Sequence, residues 1–312
     1  MKNVMAYISK FYKRLDKKLL IPVMACSFFS VFLLYSIYKN QILESVGSSY
    51  YKTQLIAVLL GLGIALIISM IDYHIIAKLW FIYTPVCIIL VLLTFTSLGL
   101  QREGADDKAW LNLGFTTIQP SEFLKLTFIM TFSYHLSKVQ EIMNKPLQVL
   151  LLCLHGAIPI MLIVLQGDHG TALVFCVMFV AMIFAAGLSW KYIVAALVIS
   201  PVAVYVLWTR ILSSVQKKRI EILFHPGSDP QGMEWQQNLG KAALGSGQLL
   251  GKGFFGKDYV AVPEMHNDFI FAYVGQTTGF LGCMILVAVL AFICIKLISD
   301  SRAAKDQLGK LI

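Results

Sequence analysis

Long apolar segments separated by short polar ones run along the whole chain. Eight of them approach the length of about 20 apolar residues that a helix needs to cross a membrane. They lie at approximately Leu19–Tyr38, Gln54–Ile71, Ile76–Leu98, Ser121–His135, Leu147–Leu165, Gly170–Gly187, Tyr192–Trp208 and Phe269–Ile298. The fourth segment is short, and the last begins with a polar, Gly-rich stretch that predicts a tilted or locally broken helix. The pattern predicts an all-α polytopic membrane protein with about eight transmembrane helices.

Lysine and arginine predict the orientation of these segments, because short basic flanks stay on the cytoplasmic side. The first 18 residues carry six of them, which places the N-terminus in the cytoplasm, and eight crossings return the C-terminus there. We therefore predict a single integral membrane domain over residues 1–312. Its parts are a cytoplasmic basic tail (1–18), seven spans (19–208), a large extracytoplasmic loop (209–268), the last span (269–298) and a cytoplasmic tail (299–312).

Composition narrows the class of protein further. Hydrophobic residues make up 58% of the chain and charged residues 14%. A soluble globule could not hide that much apolar surface, and a disordered chain is far more polar. The net charge of +9 fits cytoplasmic basic flanks and anionic lipid, so we predict membrane lipid and no nucleic acid as partners. The six cysteines lie inside apolar runs, which excludes a disulfide scaffold.

The second outward segment is too polar and Gly-rich for a simple connector. It runs through Gly104–Gly114, which contains Lys108 and Trp110, and continues to a helix start at Pro120. Glu122 and Lys125 follow three residues apart and share a face of that helix. Such charges either line a wet cavity or pair with each other to seat the helix. Trp110 by itself is typical of an interfacial anchor.

Two other outward stretches have local signals of their own. Gln166–Ala172, which contains Asp168, predicts a tight turn with a helix cap. Gly245–Gly253, which contains Lys252, is Gly-rich and could present backbone N–H groups to phosphate.

A fourth polar stretch, Val262–Phe271, stands directly before the last span. It contains Glu264, His266 and Asp268. A carboxylate at a membrane boundary is a candidate proton acceptor, whereas an aspartate before an apolar run is also a common helix cap. The residues leave both interpretations open for Asp268.

Taken in order, these four stretches resemble the SEDS family of peptidoglycan polymerases, the RodA, FtsW and SpoVE proteins. The family's Gly-Ala-x-x-Trp, Leu-Gly and Gln-Pro-Ser-Glu-x-x-Lys elements are matched within Gly104–Lys125, and its Gln-x-Asp-x-Gly-Thr-Ala turn at Gln166–Ala172. Its Gly-Ser-Gly and Gly-Lys-Gly loop is matched at Gly245–Gly253, and its Pro-Glu-x-His-x-Asp-Phe-Ile-Phe signature at Pro263–Phe271. The resemblance covers nearly the whole chain and favours the RodA-like branch.

The chain departs from the family pattern in three places. Asp106 and Asp107 are extra residues before Trp110, and Lys108 stands near a usual arginine. Gly275–Gly279 lacks two glutamates that family members commonly carry. Family members usually have ten spans, so this chain resembles a C-terminally truncated member.

The resemblance implies an inverting glycosyl transfer that polymerises lipid II at the outer face of the bacterial cytoplasmic membrane, for cell elongation, shape or division. The acceptor 4-hydroxyl attacks the anomeric carbon of a donor linked to undecaprenyl diphosphate. Asp268 corresponds to the residue that takes the proton. The residues implied to bind substrate or support the site are Lys108, Trp110, Glu122, Lys125, Asp168, Lys252, Glu264 and His266.

A cation and a protein partner are also implied. Glu264 and Asp268 could share a helix face and hold Mg²⁺ or Mn²⁺, which would stabilise the diphosphate leaving group. The partner is a class B penicillin-binding protein, which cross-links the strands. The alternatives are a flippase or other transporter of lipid-linked precursors, and an inactive truncated family member.

Overall fold

The computed structural model of the chain describes residues 15–101, 107–114, 117–232 and 234–312. These residues are mostly helical, and a three-stranded antiparallel sheet in the order β1-β2-β3 joins two of the helices. The helices are α1 (Lys17–Lys39), α2 (Ser48–Ile68), α3 (Tyr73–Lys78), α4 (Trp80–Leu93), α5 (Pro120–Val139), α6 (Pro146–Leu165), α7 (His169–Ala185), α8 (Trp190–Val206), α9 (Ser214–Phe224), α10 (Trp235–Ser246), α11 (Ile270–Ala303) and α12 (Gln307–Leu311). The strands are β1 (Gly99–Leu100), β2 (Trp110–Asn112) and β3 (Thr117–Ile118).

Six of the helices in the described part of the chain are long and apolar enough to cross a membrane. They are α1, α2, α6, α7, α8 and α11, and each coincides with a predicted span. The fold is therefore that of a helical, multi-pass membrane protein, as predicted from the apolar pattern.

The two remaining predicted spans have a different structure from the one expected. A continuous helix over Ile76–Leu98 is wrong: Leu79 leaves helical geometry and separates α3 from the 14-residue α4. The segment predicted as Ser121–His135 is longer than expected, because α5 extends to Val139. Helix α5 buries polar side chains such as Thr127 and Ser133, so protein rather than lipid surrounds much of it.

Contacts divide the chain into two compact units. Unit 1 comprises the described residues up to Met70 together with Val202–Ile298, and unit 2 comprises Ile71–Pro201 together with Ser299–Ile312. The predicted single membrane domain with its five parts stays a prediction. Within unit 1, the segment expected to be a large loop contains the helices α9 and α10.

Each unit has its own apolar core. The core of unit 1 contains Ile37 of α1, Met265 and Tyr273, all fully buried. The core of unit 2 is centred on α5, where Phe128 and Phe132 stack with ring centroids 5.1 Å apart. All six cysteines are unpaired, which agrees with the prediction from their positions.

Helix α11 is broken where the sequence predicts it. Gly279 has φ 65° and ψ −167°, which lies outside helical geometry. A Cβ atom there would lie 2.4 Å from the backbone nitrogen of Gly251, so the position requires glycine. The break leaves backbone groups of α11 free to bond with another segment, and this shapes the candidate site.

The segment after α11 belongs to unit 2 and packs against α5. Leu308 and Leu311 of α12 are buried, and the hydroxyl of Ser133 donates to the carbonyl of Leu311 at 3.0 Å. The cytoplasmic location predicted for this tail stays a prediction.

His74 connects α12 to the start of α3. Its Nδ1 lies 2.8 Å from Asp72 Oδ1 and its Nε2 lies 2.5 Å from Asp306 Oδ2. Hydrogen bonds to Asp72 and then to Asp306 raise the pKa of His74 above its usual value. Backbone and side-chain hydrogen bonds from His74 lower the pKa of Asp72, and the backbone N–H of Gly309 is the main cause that lowers the pKa of Asp306.

Candidate functional site

The segment that precedes α11 is a series of tight turns anchored in the core of unit 1. Val262 and Met265 are fully buried, whereas Glu264, Asn267 and Asp268 are exposed. The two buried side chains anchor the backbone of this segment in the core, while Glu264 between them and Asn267 and Asp268 after them face outward.

Asp268 is exposed and stands two residues before the first residue of α11. Its carboxylate makes no hydrogen bond or ion pair with any residue that the structure describes. The alternative of a helix cap therefore finds no support in the geometry. A carboxylate without an internal partner is free to accept a proton from a bound hydroxyl.

Glu264 does not share a helix face with Asp268, because the segment forms turns and not a helix. Glu264 has φ 54°, in the left-handed region that non-glycine residues rarely adopt. Its Oε2 accepts a hydrogen bond from Asn267 Nδ2 at 2.8 Å. Strained backbone of this kind is often found at functional sites.

His266 is held beneath these exposed side chains. Its side chain is 6% exposed, and its ring meets the ring of Tyr50 edge-on with centroids 4.7 Å apart. Asn267 Nδ2 lies 3.1 Å from His266 Nε2, and because an amide nitrogen only donates, Nε2 is the acceptor. The proton of a neutral ring is then on Nδ1, which is buried without a partner in the described structure.

Two glutamines fix the turns from outside the segment. Gln276 of α11, fully buried, pairs with both backbone groups of Val260: its Nε2 donates to the carbonyl at 3.0 Å and its Oε1 accepts from the N–H at 2.7 Å. Gln236 of α10 donates to the carbonyl of Pro263 at 2.8 Å. Neither glutamine has a local sequence signal for this role, although Gln276 is visible as a polar residue in an apolar span.

The Gly-rich stretch Gly245–Gly253 serves the broken helix and not a phosphate. The backbone N–H groups of Lys252 and Gly253 donate to the carbonyls of Gln276 and Thr277 at 2.7 and 2.9 Å. A Cβ atom on Gly247 would lie 1.8 Å from the carbonyl oxygen of Gly275, so the two backbones touch. These N–H groups are therefore not available to an anion.

The ammonium group of Lys252 remains at the surface of this stretch. It donates to the backbone carbonyl of Asp258 at 2.7 Å. An ammonium has three donors, so this bond leaves others for a ligand.

Glu122 and Lys125 of unit 2 form the ion pair that their spacing allows. Lys125 Nζ lies 2.8 Å from Glu122 Oε1, and the side chains are 25% and 55% exposed. Pro120 occupies the first turn of α5, as predicted. The neighbouring Ser121 hydroxyl is buried without a partner in the described part of the chain.

Asp168 caps α7, as the alternative of a turn with a helix cap predicts. Its Oδ1 accepts from the backbone N–H of Thr171 at 2.9 Å. Its Oδ2 accepts from Gln119 Nε2 at 3.2 Å, which links the turn to the residue before α5.

Lys108 and Trp110 are positioned by the small sheet of unit 2. Trp110 begins β2 and pairs with Leu100 of β1. The Lys108 ammonium donates to the carbonyl of Thr96 at 2.8 Å, and its backbone N–H donates to the carbonyl of Gln166 at 3.1 Å. Residues 102–106, which include the predicted Gly104, Ala105 and Asp106, lie outside the described residues.

The predicted site residues thus belong to two groups. Lys252, Glu264, His266 and Asp268 are in unit 1, where the last three lie within five residues of one another. Lys108, Trp110, Glu122, Lys125 and Asp168 are in unit 2.

The positions of the possible metal-ligating side chains limit how a metal ion could be bound. In the described part of the chain, no three His, Cys, Asp or Glu side chains are arranged to hold an ion. Mg²⁺, however, is commonly bound through one or two carboxylates together with substrate phosphates. The exposed carboxylates of Glu264 and Asp268 fit that mode, in which the substrate supplies the remaining oxygen ligands.

Comparison with known proteins places the chain in a family. Residues 16–312 match the cell cycle protein family of FtsW, RodA and SpoVE. The probable peptidoglycan glycosyltransferase FtsW of Trichlorobacter lovleyi is 30% identical over 95% of this chain and 78% of its own length. The peptidoglycan glycosyltransferase MrdB of Escherichia coli K12 is 26% identical over 96% of this chain and 79% of its own length.

Solved structures agree with this at the level of the fold. A chain from a peptidoglycan synthase complex that couples polymerization and crosslinking superimposes with a TM-score of 0.76, at 21% identity, over 96% of this chain and 81% of its own. The rod shape determining protein RodA of Thermus thermophilus gives a TM-score of 0.66 at 20% identity, over 96% and 79%. The chain therefore belongs to the FtsW, RodA and SpoVE family of multi-pass membrane proteins.

Proposed function

We propose that this protein is a peptidoglycan glycosyltransferase that polymerises lipid II into glycan strands at the outer face of the cytoplasmic membrane. Family membership and the names of the similar FtsW and MrdB proteins support the activity. The observation that carries the proposal is the carboxylate of Asp268, which is exposed, has no partner among the described residues and lies on a core-anchored turn directly before a helix long enough to span a membrane.

The proposed reaction is a single displacement with inversion. The 4-hydroxyl oxygen of the acceptor sugar forms a bond to the anomeric carbon of the donor while the bond from that carbon to the diphosphate oxygen breaks. Asp268 takes the hydroxyl proton, and the diphosphate leaves with the bonding electron pair. Such a transfer needs one general base and no carboxylate nucleophile.

The residues around Asp268 support this role by orientation and by binding. Asn267 bridges Glu264 and His266, so these side chains are held as one hydrogen-bonded group next to the base. The buried Nδ1 proton of His266 has no acceptor among the residues that the structure describes, and an oxygen atom of a bound sugar or of water would satisfy it.

Negative charge develops on the leaving diphosphate and requires cations. The ammonium groups of Lys108, Lys125 and Lys252 each bond to one protein oxygen and retain further donors. A Mg²⁺ or Mn²⁺ ion held by Glu264 and Asp268 with substrate oxygens would supply further charge neutralisation when bound. The indole of Trp110 is proposed to stack on a sugar ring.

Orientation and partner complete the proposal. With both termini in the cytoplasm, residues 209–268 and the Asp268 turn are extracytoplasmic, where lipid-linked glycans are polymerised. We propose a class B penicillin-binding protein as the partner that cross-links the product. The similarity to a chain of a synthase complex supports a role in such an assembly.

Polymerisation of labelled lipid II by the purified full-length chain tests this function. We expect glycan strands, resolved by length on a gel, either from the chain alone or after addition of a class B penicillin-binding protein. That partner must have no polymerising activity of its own. Absence of strands under both conditions, with lipid II still bound, would favour transport of lipid-linked precursors over polymerisation.

A further inference from the structure

A groove with one polar end lies within unit 2, between α4, α5 and α6. Its long part is a cavity of about 360 Å³ with walls such as Leu124, Phe128 and Leu154. A second cavity of about 310 Å³ shares Trp80 and His155 with the first and adds titratable side chains at one end. The groove is within the size range of ligand sites in proteins, about 300–1,000 Å³.

A directed chain of hydrogen bonds begins at the polar end. The hydroxyl of Thr131 donates to the carbonyl of Thr127 at 2.9 Å, so toward His155 Nε2, at 3.3 Å, its oxygen acts as acceptor. His155 then carries its proton on Nε2, and its Nδ1 accepts from His135 Nδ1 at 3.1 Å. In this arrangement the Nε2 atom of His135 has a free lone pair, and no described residue donates to it.

A cation lines the same cavity as His135. Lys138 is one turn further along α5, on the same helix face as His135, and its ammonium lies 5.4 Å from the ring centroid of Tyr134. Its side chain forms no ion pair with a residue in the described ranges. The polar end of the groove therefore contains both a positive charge and a hydrogen-bond acceptor.

We propose that this groove binds a phospholipid whose headgroup carries a hydrogen-bond donor, such as phosphatidylethanolamine or phosphatidylglycerol. The acyl chain occupies the apolar cavity, the phosphate lies against Lys138, and the ammonium or hydroxyl of the headgroup donates to His135 Nε2. Trp80 at the same end fits the level of lipid headgroups, where tryptophan is enriched.

Charge complementarity favours a lipid over a helix of another protein. A transmembrane helix that packed here would leave the ammonium of Lys138 and the lone pair of His135 unmatched in an apolar environment, which is costly. A phospholipid carries an anion and a donor a few atoms apart at the end of its hydrocarbon chain, and so matches both groups. The site is independent of the polymerisation chemistry.

Native mass spectrometry of the full chain can test the headgroup preference. Phosphatidylethanolamine and phosphatidylcholine with identical acyl chains have the same net charge, but choline has no hydrogen-bond donor. We expect the chain to bind the ethanolamine lipid about fivefold more tightly, the value of one net hydrogen bond. His135→Phe should remove that preference, whereas Lys138→Gln should weaken the binding of both lipids.

Lys145→Gln is the matched control, because Lys145 is an exposed lysine that precedes α6 and lines neither cavity. Its lipid binding should equal that of the unchanged chain. Equal binding of the two lipids by the unchanged chain, or a preference that persists in His135→Phe, would overturn the proposal. If none of these variants changes the amount of bound lipid, the proposal is overturned as well, and a protein helix becomes the expected occupant of the groove.

Discussion

Replacing Gln276 with leucine removes the clamp that holds the turns before Asp268. In the structure the amide of Gln276 satisfies both the N–H and the carbonyl of Val260, and no other residue in the described part of the chain bonds to these two groups. Leucine has a similar volume but neither donates nor accepts. Both backbone groups of Val260 would then lose their partners next to a fully buried side chain.

The cost follows from the two lost bonds. An unsatisfied buried polar group costs about 1–3 kcal/mol, so Gln276→Leu should destabilise the protein by about 2–4 kcal/mol after the gain from the apolar side chain. In a thermal unfolding assay in detergent, that corresponds to a decrease in Tm of about 3–6 °C for a chain of this length. Gln276→Glu can keep both bonds only with a protonated carboxyl group, because an ionised one would bury a charge against the carbonyl of Val260, so its loss of stability should grow as the pH rises.

Gln148→Leu is the control, because the side chain of Gln148 makes no hydrogen bond to a described residue. Its Tm should change by no more than about 1–2 °C. Gln276→Leu should also lower polymerisation more than lipid II binding, since it displaces the support of the base. A Tm for Gln276→Leu equal to that of the control would show that the two bonds to Val260 do not stabilise the protein.

Three further predictions address other parts of the molecule. His74 has its pKa raised by two aspartates whose own values are lowered, so its bond to Asp306 is strongest between the depressed carboxylate pKa, below 3.8, and the elevated imidazole pKa, above 6.5. The protection of α12 against hydrogen exchange, corrected for the intrinsic increase of exchange with pH, should therefore fall as pH rises through the histidine pKa, and should fall less in His74→Gln. Glu122→Gln breaks a partly exposed ion pair and should cost less than about 1 kcal/mol in thermal unfolding, so a large loss of polymerisation in that variant would indicate a role beyond seating the helix. Gly247→Ala places a methyl group against backbone and should cost at least about 2 kcal/mol, whereas Gly245→Ala, with open space around it, should be tolerated; similar yields of folded protein for the two would contradict this.

Much of the helical architecture follows from the sequence, because a membrane-spanning helix satisfies its backbone groups within one apolar segment. The segments at α1, α2, α6, α7, α8 and α11 could be predicted in this way. The ends of helix α5 were harder to predict, because the helix contains polar side chains that other parts of the protein bury. Hydropathy does not distinguish a polar side chain buried by protein from one exposed to water.

The candidate site was less predictable because it depends on contacts between distant residues. The pairing of Gln276 with Val260 joins residues 16 positions apart and has no local signature. The Gly-rich stretch has the composition of a phosphate-binding turn, but its N–H groups bond to carbonyls that the break at Gly279 sets free. The positive φ of Glu264 likewise could not be read from spacing, which predicts a shared helix face.

In the proposed reaction, the carboxylate of Asp268 takes the proton from the acceptor hydroxyl. The most direct test is lipid II polymerisation by Asp268→Asn beside Asp258→Asn, since both aspartates are exposed and the second keeps the backbone carbonyl that binds Lys252. Loss of a general base typically lowers the rate about 10²–10⁴-fold. We expect that loss in Asp268→Asn with lipid II binding retained, and an almost unchanged rate in Asp258→Asn. Polymerisation by Asp268→Asn at a rate close to that of the control would contradict the account.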